Sequence, residues 1–388
     1  MLSTVKNLFG EFMNAMIKKL LQGQAVEWQT LGEVLVRTKG TKITAGKMKE
    51  LHKSNAPIKI FAGGKTFALV DFDDIPQKDI NHKPSIIVKS RGIIEFEYYD
   101  KPFSHKNEMW AYHSQNPNIN IKFIYYFLKQ NEPYFQKIGS KMQMPQIATP
   151  DTDKFKIPIP PLSVQSQIVQ ILDAFTELND QLTAELSMRQ KQYQYYRDLL
   201  LSEHELAKVG FEWKSLGKLG IINRGKRVVK SQLTTEGVYP VYQNSLQPLG
   251  YFDKSNVKAN TTFMITAGAA GEIGYSNCAF WSADDCYYFD CPKDVLDDRF
   301  LYHSLKKQQN KIFSQVRKAS IPRLGRNSVE NIKIPIPPLS VQSQIVAILD
   351  TFDTLTQSIS EGLPKEIKLR QTQYEYYREQ LLNFKATI

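Results

Sequence analysis

Residues 156–175 read KIPIPPLSVQSQIVQILDAF and residues 333–352 read KIPIPPLSVQSQIVAILDTF, so eighteen of twenty positions match at an offset of 177. Pro158, Pro160 and Pro161 forbid helix before Leu162 and favour an extended lead-in. Ser163 then offers itself as an N-cap. Beyond it Ile168, Leu172, Phe175, Leu178, Leu182 and Leu186 recur at three- and four-residue steps, and Tyr193, Tyr196 and Leu200 continue the stripe. No Gly or Pro interrupts residues 162–201. The pattern predicts one helix of about 39 residues, roughly 60 Å long at 1.5 Å per residue.

The second copy carries the same stripe through Ile345, Leu349, Phe352, Leu355, Ile359, Leu363 and Ile367 to Tyr374, Tyr377 and Leu381. RQKQYQYYR at 189–197 returns as RQTQYEYYR at 370–378, now at offset 181, so four residues have been gained between the two matches. Gly362 and Pro364 fall in the gained stretch and predict a kink. A helix this long cannot bury an apolar stripe alone, and its near-copy is the simplest partner. The expectation is an antiparallel coiled coil with a seam of Ile168, Leu172, Phe175, Leu182, Leu186, Ile345, Leu349, Phe352, Ile359 and Leu363.

Working outward, each repeat closes a more divergent block. EWQTLGEVLVRTKG at 27–40 aligns with EWKSLGKLGIINRG at 212–225. Phe123, Tyr125, Leu128, Lys129 and Pro145 align with Phe300, Tyr302, Leu305, Lys306 and Pro322, Trp28 with Trp213, and Trp110 roughly with Trp281. The domain order read from this is an N-terminal helix at 1–26, a first block at 27–155, a first spacer helix at 156–209, a second block at 210–332 and a second spacer helix at 333–388. The last helix lacks a continuation that the N-terminus supplies, which predicts a circularly permuted repeat with pseudo-two-fold character. Block one has β-type runs at Ile58–Phe61, Phe67–Val70, Ser85–Val88 and Ile93–Tyr98; block two has them at Val238–Tyr242, Thr262–Thr266, Gly274–Tyr275 and Tyr287–Asp290. With helical stretches at Ile121–Lys129 and Asp298–Lys311, the fold class is two α/β (α+β) domains with mixed or antiparallel sheets, joined by the two long helices.

Of the net +11, residues 1–155 hold +7 and residues 210–332 hold +6, whereas 156–209 carry −2 and 333–388 carry zero. Two separate basic modules suit a long polyanion, which means nucleic acid. Three Cys and six His do not make a disulfide scaffold. No apolar run approaches the ~18–20 residues that span a bilayer. The amphipathic stretch 1–21 lacks a signal-peptide core, so the chain reads as cytoplasmic.

The chemistry-bearing motifs are sparse. There is no Walker A sequence and no nucleophile-elbow Ser. The stretch 268–274, GAAGEIG, lacks dinucleotide spacing. The carboxylates of Asp151 and Asp153, with Lys154, are too compressed to span two strands as a nuclease centre. Cys278, Cys286, Cys291 and His303 lack CxxC spacing, so no metal is expected. The reading is a binder without a catalytic centre or cofactor of its own.

The double IPIPPLSVQSQIV…ILD, each copy closing an α/β block, together with the Trp-x-x-Leu-Gly openings Trp28/Leu31/Gly32 and Trp213/Leu216/Gly217, resembles the specificity subunit of type I restriction-modification enzymes. Ser163-Val164-Gln165 and Ser340-Val341-Gln342 depart from it where many members carry an acidic residue before the Gln. The resemblance implies that each block is a target recognition domain reading one half of a bipartite, asymmetric site in double-stranded DNA. It implies spacer helices that fix the gap and dock two modification (methyltransferase) subunits, and through them restriction/translocase subunits. S-adenosylmethionine and ATP then belong to those partners. The alternatives are an orphan coiled-coil protein that bridges two DNA sites without enzyme partners, and a nuclease using Asp151 or Asp153.

For phosphate anchoring, basic residues near Gly-rich turns stand out: Lys39, Lys42, Lys47, Lys49, Arg224, Lys226, Arg227 and Lys230. For base readout the candidates are Lys89, Ser90 and Arg91; Lys141, Gln143 and Gln146; Gln243, Asn244 and Ser245; and Lys318, Ser320, Arg323 and Arg326. The aligned loops 137–146 and 314–323 precede the Pro-rich lead-ins in both halves. Tyr193, Tyr195, Tyr196, Tyr374, Tyr376 and Tyr377 read as seam or partner-docking groups.

Overall fold

The computed structural model describes residues 26–140, 144–358 and 361–384, together with 15, 19 and 20. The expected N-terminal helix at 1–26 therefore lies almost wholly outside the described residues, as do Lys141, Gln143 and Ile359. The chain divides into two compact units, one drawn from residues up to Gln181 and from Lys368 onward, the other from Leu182–Ile367. Each unit thus holds one block, one half of the first repeat helix and the opposite half of the second, the exchange an antiparallel pairing requires.

The prolines set the helix start as expected: the first repeat helix spans Leu162–Leu200, 39 residues. Ser163 is not its N-cap. Extended backbone runs to the last proline, whose carbonyl accepts from Val164 and Gln165 and so opens the helix, and Pro338 holds the N-cap position of the second copy. The second repeat does not kink but breaks, into Leu339–Gln357 and Gly362–Leu382. Gly362 takes a left-handed φ of 74°, and a Cβ there would run into the Thr354 carbonyl oxygen. Pro364 sits in the first turn of the new helix, where its missing N–H costs nothing.

The lead-in KIPI is itself a strand. Lys156–Ile159 pairs antiparallel with Glu27–Thr30, and Lys333–Ile336 pairs with Glu212–Ser215, so each block is stitched shut by its own two ends. Pro158 and Pro335 sit opposite Trp28 and Trp213. A two-stranded ribbon has only edge strands, which tolerate proline.

Both blocks then build the same two sheets. In unit one a four-stranded antiparallel sheet has the order Val36–Arg37, Trp110–His113, Ser85–Lys89, Glu95–Tyr99. A three-stranded mixed sheet has the order Phe67–Val70, Ile58–Phe61, Phe103–His105, the last pair parallel. In unit two the corresponding orders are Ile222–Arg224, Cys286–Phe289, Thr261–Ile265, Ile273–Ser276 and Gly250–Phe252, Tyr239–Tyr242, Trp281–Ser282, the last pair again parallel. This order corrects one alignment: Trp110 opens the strand that corresponds to Cys286–Phe289, whereas Trp281 corresponds to the Phe103 strand. The block-two helix expected over 298–311 is interrupted at Gln308, giving Asp298–Lys307 and Gln309–Phe313.

Within each unit the repeat helices pack on each other, and the block helix shares their seam. Ile168, Leu172 and Phe175 share one core with Tyr377, Leu381 and Leu382 and with Phe123, Phe127 and Leu128 of the block-one helix Ile121–Gln130. Phe175 stacks on Tyr377 at 5.5 Å. In unit two Ile345 and Leu349 share a core with Tyr193 and with Phe300, Leu301 and Leu305, and Tyr196 stacks on Phe352 at 5.4 Å. Each fully buried Ile or Leu there contributes about 2–3 kcal/mol. Leu182, Leu186 and Leu363 are only half-buried.

Two motif residues lock each block to its helix. The fully buried Gln165 donates to the Pro160 and Asn118 carbonyls and accepts from the Asn120 N–H; Gln342 repeats this with Pro337, Val295 and Asp297. Asn120 and Asp297 are the N-caps of the block helices, so the Gln fixes where each helix begins. The aspartate of ILD is the second tie. Asp173 accepts from Lys122 and Tyr126 in unit one, and Asp350 from Arg299 and His303 in unit two.

Candidate nucleic-acid interface

The Trp-x-x-Leu-Gly opening turns the chain toward the site. Leu31 and Leu216 are fully buried, and a Cβ on Gly32 or Gly217 would stand 3.1 or 3.0 Å from the Cβ of Asp153 or Glu330. Eight residues later Gly40 and Gly225 cross a strand end: a Cβ on Gly40 would run into the His105 carbonyl oxygen, and one on Gly225 into that of Ala283. The next residue in each block bonds across, Thr41 N–H to the His105 carbonyl and Lys226 N–H to that of Ser282, 2.8 and 2.9 Å. The turns carrying Lys39 and Lys42, and Arg224, Lys226 and Arg227, are thereby fixed to corresponding places.

A second loop pair meets at the same end of each block. In block one Gly92 N–H donates to the Pro145 carbonyl (2.9 Å) and Ile147 N–H to that of Ser90 (3.0 Å). In block two Gly268 N–H donates to Pro322 (3.0 Å) and Leu324 N–H to Thr266 (2.8 Å). Gly92 and Gly268 both have left-handed φ, 76° and 81°. These bonds place Arg91 opposite Gln146 and Ala267 opposite Arg323. Ser90 and Thr266 hold the loops down from below, donating to the Glu108 and Asp285 carbonyls. Asn244 joins the block-two cluster: its carbonyl accepts from Ala269 N–H, and Gly268 packs against it.

The predicted residues thus sort by place. Lys39, Lys42, Arg91 and Gln146 gather at one end of block one. Arg224, Lys226, Arg227, Gln243, Asn244, Arg323 and the nearby exposed Lys318 and Ser320 gather in block two. Lys39, Lys42, Arg91, Lys226, Arg227, Lys230, Lys318 and Arg323 are exposed and form no ion pair among the described residues. Lys47 and Lys49 lie apart, on the helix Ala45–Leu51 that buries Met48, and Lys47 pairs with Glu50. Arg326 opens the short helix Arg326–Glu330 and pairs with Glu330.

Two expectations are corrected. Lys89 is taken by Glu95 and Glu97 across the sheet, at 2.6 and 2.8 Å. Burial works to lower its pKa, but the two carboxylates outweigh it and hold the ammonium charged above the usual lysine range. Ser90 is buried and committed to the Glu108 carbonyl, so it supports the loop and reads nothing. Sequence reasoning passes over Arg317, which the backbone sets directly opposite Arg323 through mutual bonds of 2.8 and 3.2 Å. Nothing in the sequence separates it from the other basic residues of 314–323.

The residues considered for catalysis have structural work. Asp153 accepts from Tyr112 and lies 3.7 Å from Arg37, while Asp151 accepts from the Ala148 N–H at the start of its own helix. Cys278 is exposed, Cys286 and Cys291 are buried, and burial raises the Cys286 thiol to about 12. His303 is fully buried, 2.7 Å from Asp350 and 3.2 Å from the Tyr193 hydroxyl. A neutral ring protonated on Nε2 satisfies both contacts, and burial depresses its pKa. Among the described residues no group of three His, Cys, Asp or Glu could hold a metal, and no helix is long and apolar enough to cross a membrane.

The model of the type I restriction modification DNA specificity domain matches twice, over residues 25–188 and 208–369. A type I restriction enzyme specificity subunit of Escherichia coli is 32% identical over 398 residues, covering 95% of this chain and 96% of its own. In fold the chain is similar to the crystal structure of the S subunit of a type I restriction-modification system from M. genitalium, with TM-score 0.71 at 19% identity over 94% of this chain and 98% of that one. A chain from work on complex assembly and conformational transition of the type I R-M system matches at TM-score 0.51 and 15% identity, over 94% of this chain and 99% of its own. Two matched domains spanning both blocks, with a relative aligned over nearly the whole length, show that the chain belongs to the family of type I restriction-modification DNA specificity subunits.

Proposed function

We propose that block one and block two each read one half of a bipartite site in double-stranded DNA and that the chain performs no chemistry itself. The observation that carries this is the repeated clasp. One set of backbone bonds recurs in both blocks, yet it pairs Arg91 with Gln146 in one and an exposed Arg323 with a buried Ala267 in the other. A common frame with different side chains is what two different half-sites require. The exposed basic residues around each clasp anchor phosphates. The repeat helices set the gap between half-sites and dock two modification subunits, which bring S-adenosylmethionine; restriction/translocase subunits joined through them bring ATP.

Titration of DNA onto the chain, alone and with its modification subunits, tests this. Alone, binding is weak, indifferent to sequence and steeply salt-dependent. With the partners it becomes sequence-specific. Equal affinity for all sequences in the assembled complex contradicts the proposal.

A further inference from the structure

We infer that the cross-strand pair at positions 91 and 146 in block one, and at 267 and 323 in block two, is the element that selects a base pair in each half-site, with Arg317 as an added part of the block-two reader. The inference rests on the DNA-reading function proposed above and names the residues that do the choosing.

The bonds around each pair run from the residue after one member to the residue before the other. That is the non-hydrogen-bonded antiparallel arrangement, in which the two α-carbons stand about 4.5 Å apart and both side chains leave on the same face. Their neighbours Ser90, Ile147, Thr266 and Leu324 are all buried, so alternation along the backbone turns Arg91 and Arg323 outward. Arg91 and Arg323 are exposed and Gln146 is half-buried, whereas Ala267 is itself buried, so in block two the reading falls to Arg323.

Two further features point to an absent ligand. Arg317 and Arg323 stand directly opposite with no carboxylate bound to either among the described residues. Like charges so placed oppose folding, and an electron-rich base edge or phosphate relieves them. Beside each pair, at positions related by the 177-residue offset, a large aliphatic lies open: Met144 is 65% and Ile321 54% exposed. An aliphatic next to a guanidinium suits a major-groove edge, where thymine offers a methyl group and guanine two acceptors. Arginine reads guanine through O6 and N7, and glutamine reads adenine through N6 and N7. Block two accordingly selects guanine at the position facing Arg323, and block one selects with both an arginine and a glutamine.

The test is the methylation motif, read by single-molecule sequencing of DNA from cells that express the chain with its modification subunits. Arg323→Gln should change the accepted base at one position of one half-site, with a loss of discrimination of roughly 5- to 150-fold there, and leave the other half-site intact. Arg323→Lys, which keeps the charge and the fold but not the two-pronged donor, should lose the same discrimination without altering the salt dependence of binding. The reciprocal Arg91→Ala/Gln146→Arg variant should change only the other half-site. Unchanged discrimination at every position in Arg323→Lys overturns the inference, as does uniform weakening on all sequences, which would make Arg323 a phosphate anchor. If the unaltered complex yields no bipartite motif, the failure belongs to the underlying reading and not to this pair.

Discussion

Replacing Gln342 with leucine, which keeps the bulk and removes every polar atom, tests how the repeat motif holds a reader. The side chain is fully buried and makes three bonds: from Nε2 to the Pro337 and Val295 carbonyls at 2.8 and 2.9 Å, and to Oε1 from the Asp297 N–H at 2.9 Å. Each is worth about 0.5–1.5 kcal/mol net, and a buried donor left unsatisfied costs about 1–3 kcal/mol. Water can reach the half-buried Asp297, so the lower end of the second figure applies. The expected loss is about 2–4 kcal/mol, centred on the start of helix Asp298–Lys307. Hydrogen exchange resolved by mass spectrometry measures it: protection of the amides from Val295 to Leu301 should fall by roughly 30- to 700-fold, at about 1.4 kcal/mol per decade. Gln165→Leu should do the same to residues 118–124. A change under about threefold in either variant refutes the clamp, because three lost bonds cannot be that cheap.

The other predictions concern pH, backbone crowding and spacing. Burial keeps His303 neutral below the ordinary imidazole range, so the unfolded chain takes the proton first. The stability of unit two should hold above that range and fall as pH drops through it. His303→Gln should flatten this slope in exchange measurements between about pH 8 and about pH 5.5; an unaltered slope contradicts it. Gly225→Ala should destabilise block two by about 1–3 kcal/mol because its Cβ meets the Ala283 carbonyl. Gly46→Ala, with nothing within 4 Å and a helical position, should stabilise block one by about 0.5–1 kcal/mol; urea midpoints of the opposite order would contradict both. Lengthening both repeat helices by seven residues, about 10 Å, should add about three base pairs to the unspecified gap at ~34 Å per turn and leave both half-sites as they were; motif sequencing decides.

Much of the frame was legible because its signals are local. The prolines end at Pro161 and the helix begins at the next residue, Leu162; the β-runs Ile58–Phe61 and Phe67–Val70 are strands with those same limits. What stayed hidden depends on partners distant in the chain. Lys89 looks like a free loop lysine until the strand Glu95–Tyr99 brings two carboxylates over it. Trp110 and Trp281 look equivalent by composition until strand order separates them. The clasp joins loops 53 or more residues apart through backbone atoms, which leave no trace in side-chain identity, and Arg317 is singled out only by its backbone bonds to Arg323. The repeated Gln and Asp were visible as identities, while their role as ties to the block helices needed the structure.

The most direct measurement exchanges residues 210–332 for the corresponding block of another specificity subunit and sequences the methylated DNA made by the complex. Two independent readers predict that one half of the motif is replaced while the other half and the gap persist. A motif that survives the exchange intact, or one in which both halves change together, contradicts the account.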